Sequence, residues 1–213
     1  MRLPPNRILL PLLAALLVIG AATPVRAEKS DRFKPLNVEA DLPGKIDLLK
    51  QIVVFNGNVV VTKGSMVIRA ARIEVRELPD GYHSAIAFGS PTQHATFRQK
   101  RDAPDEYITG DAERLEYDGK SDVIRFVNNA SVKRLRGGEV SDEISGNLVT
   151  YDSGSEVFNV SGGATPSATN PGGRVRAVLT PREGSAAAAE AARAASAAPT
   201  PSLRTAPSLG DGK

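Results

Sequence analysis

Apolar and polar residues alternate with a period of two along most of the chain between Phe33 and Thr180. Leu36, Val38 and Ala40 alternate with polar neighbours, as do Met66, Ile68 and Ala70, then Ile73 and Val75, then Ile124, Phe126, Asn128 and Ala130. A period of two places every second side chain on one face of an extended chain, so these segments predict half-buried β-strands. Turn-forming pairs interrupt them at Pro43-Gly44, Lys63-Gly64, Asp80-Gly81, Asp118-Gly119, Gly137-Gly138, Ser153-Gly154 and Gly162-Gly163, at spacings suited to hairpins and meanders. No sustained apolar stripe at helical spacing occurs in this region. The expected domain is all-β and antiparallel, with no helical core.

A weak internal repeat sharpens that expectation. Ala70-Ala71-Arg72-Ile73-Glu74-Val75 is echoed by Ala112-Glu113-Arg114-Leu115-Glu116-Tyr117 and by Gly146-Asn147-Leu148-Val149-Thr150-Tyr151. The apolar residues upstream (Ile68, Ile108, Ile144) share the parity of the small residue, whereas those downstream fall on the opposite parity. The inward face therefore shifts by one residue at Ala70, Ala112 and Gly146, which predicts a bulge or corner where the chain bends from one sheet into another. A second element aligns Phe55-Asn56-Gly57-Asn58-Val59-Val60-Val61 with Phe126-Val127-Asn128-Asn129-Ala130-Ser131-Val132. Read singly, these are ordinary hairpins, in which Gly and Asn supply the positive φ of a tight turn. Read in series, the bent units predict a rolled sandwich with one long interior.

Composition narrows the choice of function. With 213 residues, 24% charged and 41% hydrophobic, the chain suits one globular domain plus short extras. Aromatics at 5%, no Trp, 19 Gly and 15 Pro fit a turn-rich β protein. The absence of cysteine excludes disulfides, thiolate metal sites, a cysteine nucleophile and a lipid-modified N-terminal Cys. The net charge of +3 comes from Arg2, Arg7 and Arg26. Between Phe33 and Thr180, 18 basic and 19 acidic residues are interspersed, so the clustered basic excess that nucleic acid requires is missing.

The two ends of the chain read as additions to the domain. Arg2 and Arg7 precede an apolar run from Ile8 to Ala22, and Val25-Arg26-Ala27 offers the small residues a signal peptidase reads. Residues 1–27 are thus expected to be a signal peptide cleaved before Glu28. The run is interrupted by Pro11 and is shorter than the roughly 20 residues a spanning helix needs. Residues 181–213 hold 11 Ala among 33 residues with scattered Pro, Ser and Gly, and are expected to be a disordered tail. Ala186 to Ala198 could form a transient helix, but one with no apolar face to dock. Residues 28–180 remain as the working domain.

Signals for catalysis are weak. His83 and His94 each stand alone in polar stretches, and no metalloprotease, nucleophile-elbow or phosphate-loop motif is present. No catalytic, cofactor-binding or metal-binding residue is expected, and no cofactor. Asp80, Asp118 and Asp152 occupy turn positions where Asp bonds its own backbone. A jellyroll carbohydrate-active enzyme using Glu113 and Glu116 as its carboxylate pair is the enzymatic alternative.

Residues 55–64, Phe55-Asn56-Gly57-Asn58-Val59-Val60-Val61-Thr62-Lys63-Gly64, continuing through Met66, Ile68 and Ala70, resemble the signature of the OstA-like family of periplasmic lipopolysaccharide-transport proteins. Pro35-Leu36-Asn37-Val38-Glu39-Ala40-Asp41, Phe88-Gly89-Ser90-Pro91 leading to Phe97-Arg98-Gln99-Lys100, and Ile108-Thr109-Gly110-Asp111 leading to Tyr117-Asp118 add to the match, in order, over about residues 35–180. Ala71 departs from the pattern, standing where the family carries an acidic residue, and the Ala/Pro tail has no counterpart in it.

The resemblance implies a twisted, partly open antiparallel β-jellyroll, a V-shaped pair of sheets that carries lipopolysaccharide across the periplasm. It implies stacking end to end between an inner-membrane complex and an outer-membrane β-barrel translocon. A carrier is needed because one buried acyl chain of about a dozen carbons costs roughly 10 kcal/mol to expose. The candidate groove for the lipid A acyl chains comprises Leu36, Val38, Phe55, Val59, Val61, Met66, Ile68, Ile73, Phe97, Ile108, Leu115, Tyr117, Ile124 and Phe126; each would equally serve as plain core. An unclosed sandwich leaves edge strands that a partner can extend. By the family analogy Leu36, Val38 and Ala40 face the inner-membrane anchored partner, and Val175, Ala177 and Leu179 face the outer-membrane translocon. Because the two edges differ, head-to-tail self-association is also implied. Lys133, Arg134 and Arg136 could meet lipid phosphates or form a solvated surface strand. A membrane-anchored relative retaining residues 8–22 is the alternative within the same pathway.

Overall fold

The computed structural model describes residues 31–162, 173–182 and 184–197. The expected leader, its cleavage before Glu28, Gly163, and residues 198–213 of the expected tail lie outside them. Among the described residues are twelve strands: β1 (Asn37–Glu39), β2 (Leu42–Asp47), β3 (Ile52–Lys63), β4 (Met66–Glu77), β5 (His83–Phe88), β6 (Ala95–Lys100), β7 (Glu106–Ala112), β8 (Arg114–Asp118), β9 (Val123–Arg136), β10 (Glu139–Asp152), β11 (Val157–Ser161) and β12 (Arg176–Leu179). All pairings are antiparallel.

Four long strands, β3, β4, β9 and β10, run through two sheets, and eight short strands each belong to one. The first sheet takes residues 52–56 of β3 and 72–77 of β4, together with β2, β5, β8, β11 and the matching halves of β9 and β10. The second takes residues 60–63 of β3 and 66–69 of β4, with β1, β6, β7, β12 and the other halves of β9 and β10. The result is the expected open, V-shaped antiparallel jellyroll.

The expected corners fall where the parity of the sequence changes. The β3–β4 register slips between Asn56 and Val59, opposite Ala70 and Arg72, and the β9–β10 register slips between Gly146 and Leu148. Ala112 ends β7, and the chain re-enters the other sheet as β8. The Phe55 and Phe126 repeats differ from the hairpin reading. Gly57 (φ 76°), Asn58 (φ 43°), Asn128 (φ 63°) and Asn129 (φ 52°) do adopt positive φ, but within β3 and β9 rather than at a chain reversal. Two consecutive left-handed residues turn a continuous strand through the apex of the V.

Pro43-Gly44 also differs from its turn reading. Both lie inside edge strand β2, where the register slips between Leu42 and Lys45. Proline is tolerated there because an edge strand needs only one hydrogen-bonding side. Glycine is required because a Cβ at position 44 would sit 2.6 Å from the Phe55 ring.

The interior is one continuous cluster from Val59 to Tyr151. Phe97, from the second sheet, meets Phe126, from the first, edge to face with ring centroids 5.6 Å apart. Gly110 makes room for that contact, since a Cβ there would lie 2.5 Å from the Phe126 ring. Beyond β12, helix α1 (Ala186–Ala197) occupies part of the tail expected to be disordered, over the alanine-rich stretch where only a transient helix was expected. The Ser185 hydroxyl caps it, accepting the amide of Ala188 at 3.2 Å, and its side chains are almost all exposed.

Candidate functional site: the interior, its mouth and its edges

Every residue of the expected groove points inward. Val59, Val61, Met66, Ile68, Ile73, Phe97, Ile108, Leu115, Tyr117, Ile124 and Phe126 are buried, and Leu36, Val38 and Phe55 are half-buried against them. The alternation that predicted strands also sorted the faces. What the alternation did not reveal is how tightly the two inner faces meet: in this structure the fourteen residues pack against one another as a core rather than lining an open trough.

Opposite the apex, the free tips of the two sheets meet at a mouth, and polar side chains bridge it. Lys63, at the tip of the second sheet, donates from Nζ to the Tyr117 hydroxyl of the first at 2.8 Å, and that hydroxyl donates to Asp122 Oδ1 at 2.9 Å. Burial pushes the Lys63 ammonium below its ordinary value, against the pull of Asp122. Burial first, then the Asp122 carboxylate, pushes the Tyr117 hydroxyl above its own. Arg32 donates from its guanidinium to the Lys120 carbonyl at 2.5 Å and sits 5.8 Å from the centre of the Tyr82 ring. Farther along the mouth, Arg101 from the second sheet pairs with Glu156 of the first and, at 3.4 Å, with Glu106 of its own sheet. None of these bridges was singled out from the sequence, because partners more than fifty residues apart leave no local pattern.

Each end of the sandwich exposes two edge strands rather than one. β1 and β2 form one end, with Val38 opposite Val61 and Lys45 opposite Val54; β11 and β12 form the other, with Ala177 opposite Ile144 and Leu179 opposite Asp142. Leu36 and Ala40 flank β1 and pack on the core, while Val175 precedes β12 and is exposed. Exposed large apolar side chains gather at these ends. Phe33, Leu42, Ile46, Leu48 and Leu49 lie at the first, with Leu49 99% exposed; Val140, Val157, Val175, Val178 and Leu179 lie at the second. Near the second end, Val132, Ile144, Phe158 and Leu179 floor a cavity of about 270 Å3, with Arg101 and Arg134 beside it.

The remaining candidates have structural partners. Lys133 pairs with Glu143 at 3.7 Å, Arg134 with Asp142, and Arg136 with Glu106 at 2.8 Å, so the basic run is neutralised across its own sheet. The Glu113 carboxylate accepts from the side-chain amides of Asn128, at 3.2 Å, and Asn129, while Glu116 pairs with Arg114 at 2.8 Å. His94 Nδ1 lies 2.8 Å from Asp111 Oδ2. In the turns, the Lys120 contact holds the Asp80 carboxyl below its ordinary range, and the Ser155 amide does the same for Asp152. Among the described residues no cluster of His, Asp and Glu could hold a metal ion, and no helix is long and apolar enough to cross a membrane.

The fold and its surfaces define an open β-jellyroll with an apolar interior and extendable edges at both ends. The family model described as "LptA/(LptD N-terminal domain) LPS transport protein" matches residues 37–157, more than half of the chain, which belongs to that family. The lipopolysaccharide export system protein LptA of Haemophilus influenzae is 31% identical over 186 residues, covering 86% of this chain and 96% of its own. The protein of the same name from Escherichia coli strain K12 is 29% identical over 159 residues, covering 71% and 77%. The crystal structure of LptH, the LptA-homologous periplasmic component of the lipopolysaccharide transport device of Pseudomonas aeruginosa, superimposes with a TM-score of 0.61 at 22% identity, covering 71% of this chain and 99% of that one, and supports the same fold.

Proposed function

We propose that residues 28–180 act in the periplasm as a carrier and bridge for lipopolysaccharide, shielding lipid A acyl chains between the two sheets and stacking through its edge strands. Family membership supplies the cargo. The observation that carries the reading is the placement of exposed apolar side chains at the two open ends of a sandwich that holds one continuous apolar cluster between its sheets. Acyl chains enter by parting the sheets along the mouth, where side chains such as Lys63 and Arg101 bridge the tips, and the half-buried Leu36 beside it gives them an apolar threshold. The β1/β2 end takes the inner-membrane anchored partner, the β11/β12 end takes the outer-membrane translocon, and unlike ends allow head-to-tail self-association. No catalytic step is assigned, since the Glu113 carboxylate is committed to the corner at Asn128 and Asn129.

Titration of the purified mature protein with lipopolysaccharide tests the reading. Saturable binding that is competed by lipid A supports it. Absence of binding, or binding competed only by lipid-free core oligosaccharide, overturns it.

A further inference from the structure

The mouth also carries a cavity with a cationic wall. Where the tips of the first sheet meet the chain leading into β1, a cavity of about 410 Å3 is lined by Arg32, Lys34, Lys63, Tyr82, His83 and Tyr117. Three cations face it, with two phenols and an imidazole, and among the described residues no carboxylate lines it. The acids nearest Lys63, Asp122 and Asp31, attract it from outside the cavity lining and hydrogen-bond to other groups. Asp31 Oδ2 accepts the amide and hydroxyl of Ser65, at 3.0 and 2.5 Å, and Asp122 accepts the Tyr117 hydroxyl. The Arg32 guanidinium donates to a neutral acceptor, the Lys120 carbonyl, rather than to a carboxylate. A guanidinium bordering a cavity is a strong ligand for an oxyanion. Phe33 and Leu36 line the same cavity, so its cationic wall adjoins an apolar one.

We infer that this cavity binds a phosphate monoester, with Arg32 and Lys63 as its principal ligands and Tyr117 orienting the Lys63 ammonium. The inference rests on the carrier reading for the source of the phosphate: a glycolipid with its chains between the sheets brings its headgroup to the mouth. Arg32 and Lys63 face the cavity from different segments, one in the chain before β1 and the other at the end of β3, so an anion between them relieves their mutual repulsion. Lys133, Arg134 and Arg136, the phosphate candidates drawn from the sequence, are by contrast ion-paired within their sheet.

The test uses the full mature protein with three probes: bisphosphorylated lipid A, the same lipid after phosphatase treatment, and inorganic pyrophosphate. The wild type should prefer the phosphorylated lipid by about tenfold, as one charge-assisted site would give. Arg32→Gln and Lys63→Met should each reduce that preference by about fivefold, and Arg32→Lys should keep most of it. Pyrophosphate that competes with the phosphorylated lipid in the wild type but not in the variants places free phosphate in the site; lack of competition places the lipid phosphate there; either supports it. A wild type that binds both lipids equally, or variants that keep the full preference, overturn this inference alone. A wild type that binds neither lipid overturns the carrier reading instead. Circular dichroism of each variant separates loss of the site from loss of the fold.

Discussion

The Asp41 carboxylate accepts a 2.7 Å hydrogen bond from the side-chain amide of Asn58, while the Asp41 backbone N–H donates to the Gly57 carbonyl at 3.0 Å. Glu113 repeats the arrangement at the second apex: its carboxylate takes the Asn128 and Asn129 amides, and its N–H donates to the Asn128 carbonyl at 3.1 Å. In both cases the acid sits where a short strand steps from one sheet to the other, β1 to β2 or β7 to β8. The pair of positive-φ residues that bends a long strand is thus locked to the residue where its neighbour changes sheet. The V is hinged by two copies of one device.

That device has a stability signature. Asn58→Ala removes the side-chain bond and places a Cβ-bearing residue without local compensation at φ 43°, so it should cost about 2 kcal/mol in urea denaturation. Asn58→Gly loses the same bond but relieves the backbone, and should cost about 1 kcal/mol less than the alanine variant. Equal losses would contradict the positive-φ role.

Packing between the sheets makes a second prediction. Gly110→Ala drives a methyl group into the Phe126 ring and should destabilise the domain by about 1–3 kcal/mol. Combining it with Phe126→Leu should recover part of that loss, because the two sites share one volume. Strict additivity in the double variant would mean that the faces are less closely packed than described.

The Lys63–Tyr117 bridge sets the behaviour at alkaline pH. With its folded pKa lowered, Lys63 binds less proton folded than unfolded, so its contribution makes stability rise with pH in the window below 10.5. Tyr117, whose folded pKa is raised, contributes stability that is present below pH 10 and lost above it. In denaturation series across that range, Lys63→Met should flatten the rise and Tyr117→Phe the fall. An unchanged profile in both variants would exclude the bridge from the folded state.

The edges yield a fourth prediction. Proline at Val175 would miss the β12 ladder, which begins at Arg176, so the informative positions are Ala177 and Val178. Ala177→Pro and Val178→Pro alternate between the two sides of β12, and at least one must block pairing with an incoming strand. Sedimentation velocity should show loss of head-to-tail association in at least one of them, as in Val38→Pro, with the β-type circular dichroism retained. Undiminished association in all three would remove the edges from the assembly.

What the sequence disclosed, and what it withheld, follows from the range of the interactions involved. The strands, the inward faces and the corners at Ala70, Ala112 and Gly146 are written in the parity of neighbouring residues, and all are present. Strand β2 was hidden by Pro43-Gly44, a pair whose local preference is a turn but which here occupies a bulged edge. The Gly57-Asn58 and Asn128-Asn129 pairs announced positive φ, and only the partners of β3 and β9 on both sides decide that the chain continues rather than reverses. A signal was nonetheless available: Asp41 precedes Asn58 by 17 residues and Glu113 precedes Asn129 by 16, a spacing that repeats with the corner itself. The mouth had no such signal, because Lys63 meets Tyr117, and Arg101 meets Glu156, only once two sheets have folded over each other.

The most direct test of the carrier reading is photo-crosslinking to lipopolysaccharide in living cells, with the reactive residue placed in turn at Phe55 and Phe158, which face the interior, and at Arg98 and Glu116, which alternate with buried neighbours and face outward. Labelling from Phe55 and Phe158 with little or none from Arg98 and Glu116 is the expected result. Labelling from the outward positions without the inward ones would place the lipid on the surface and contradict the account.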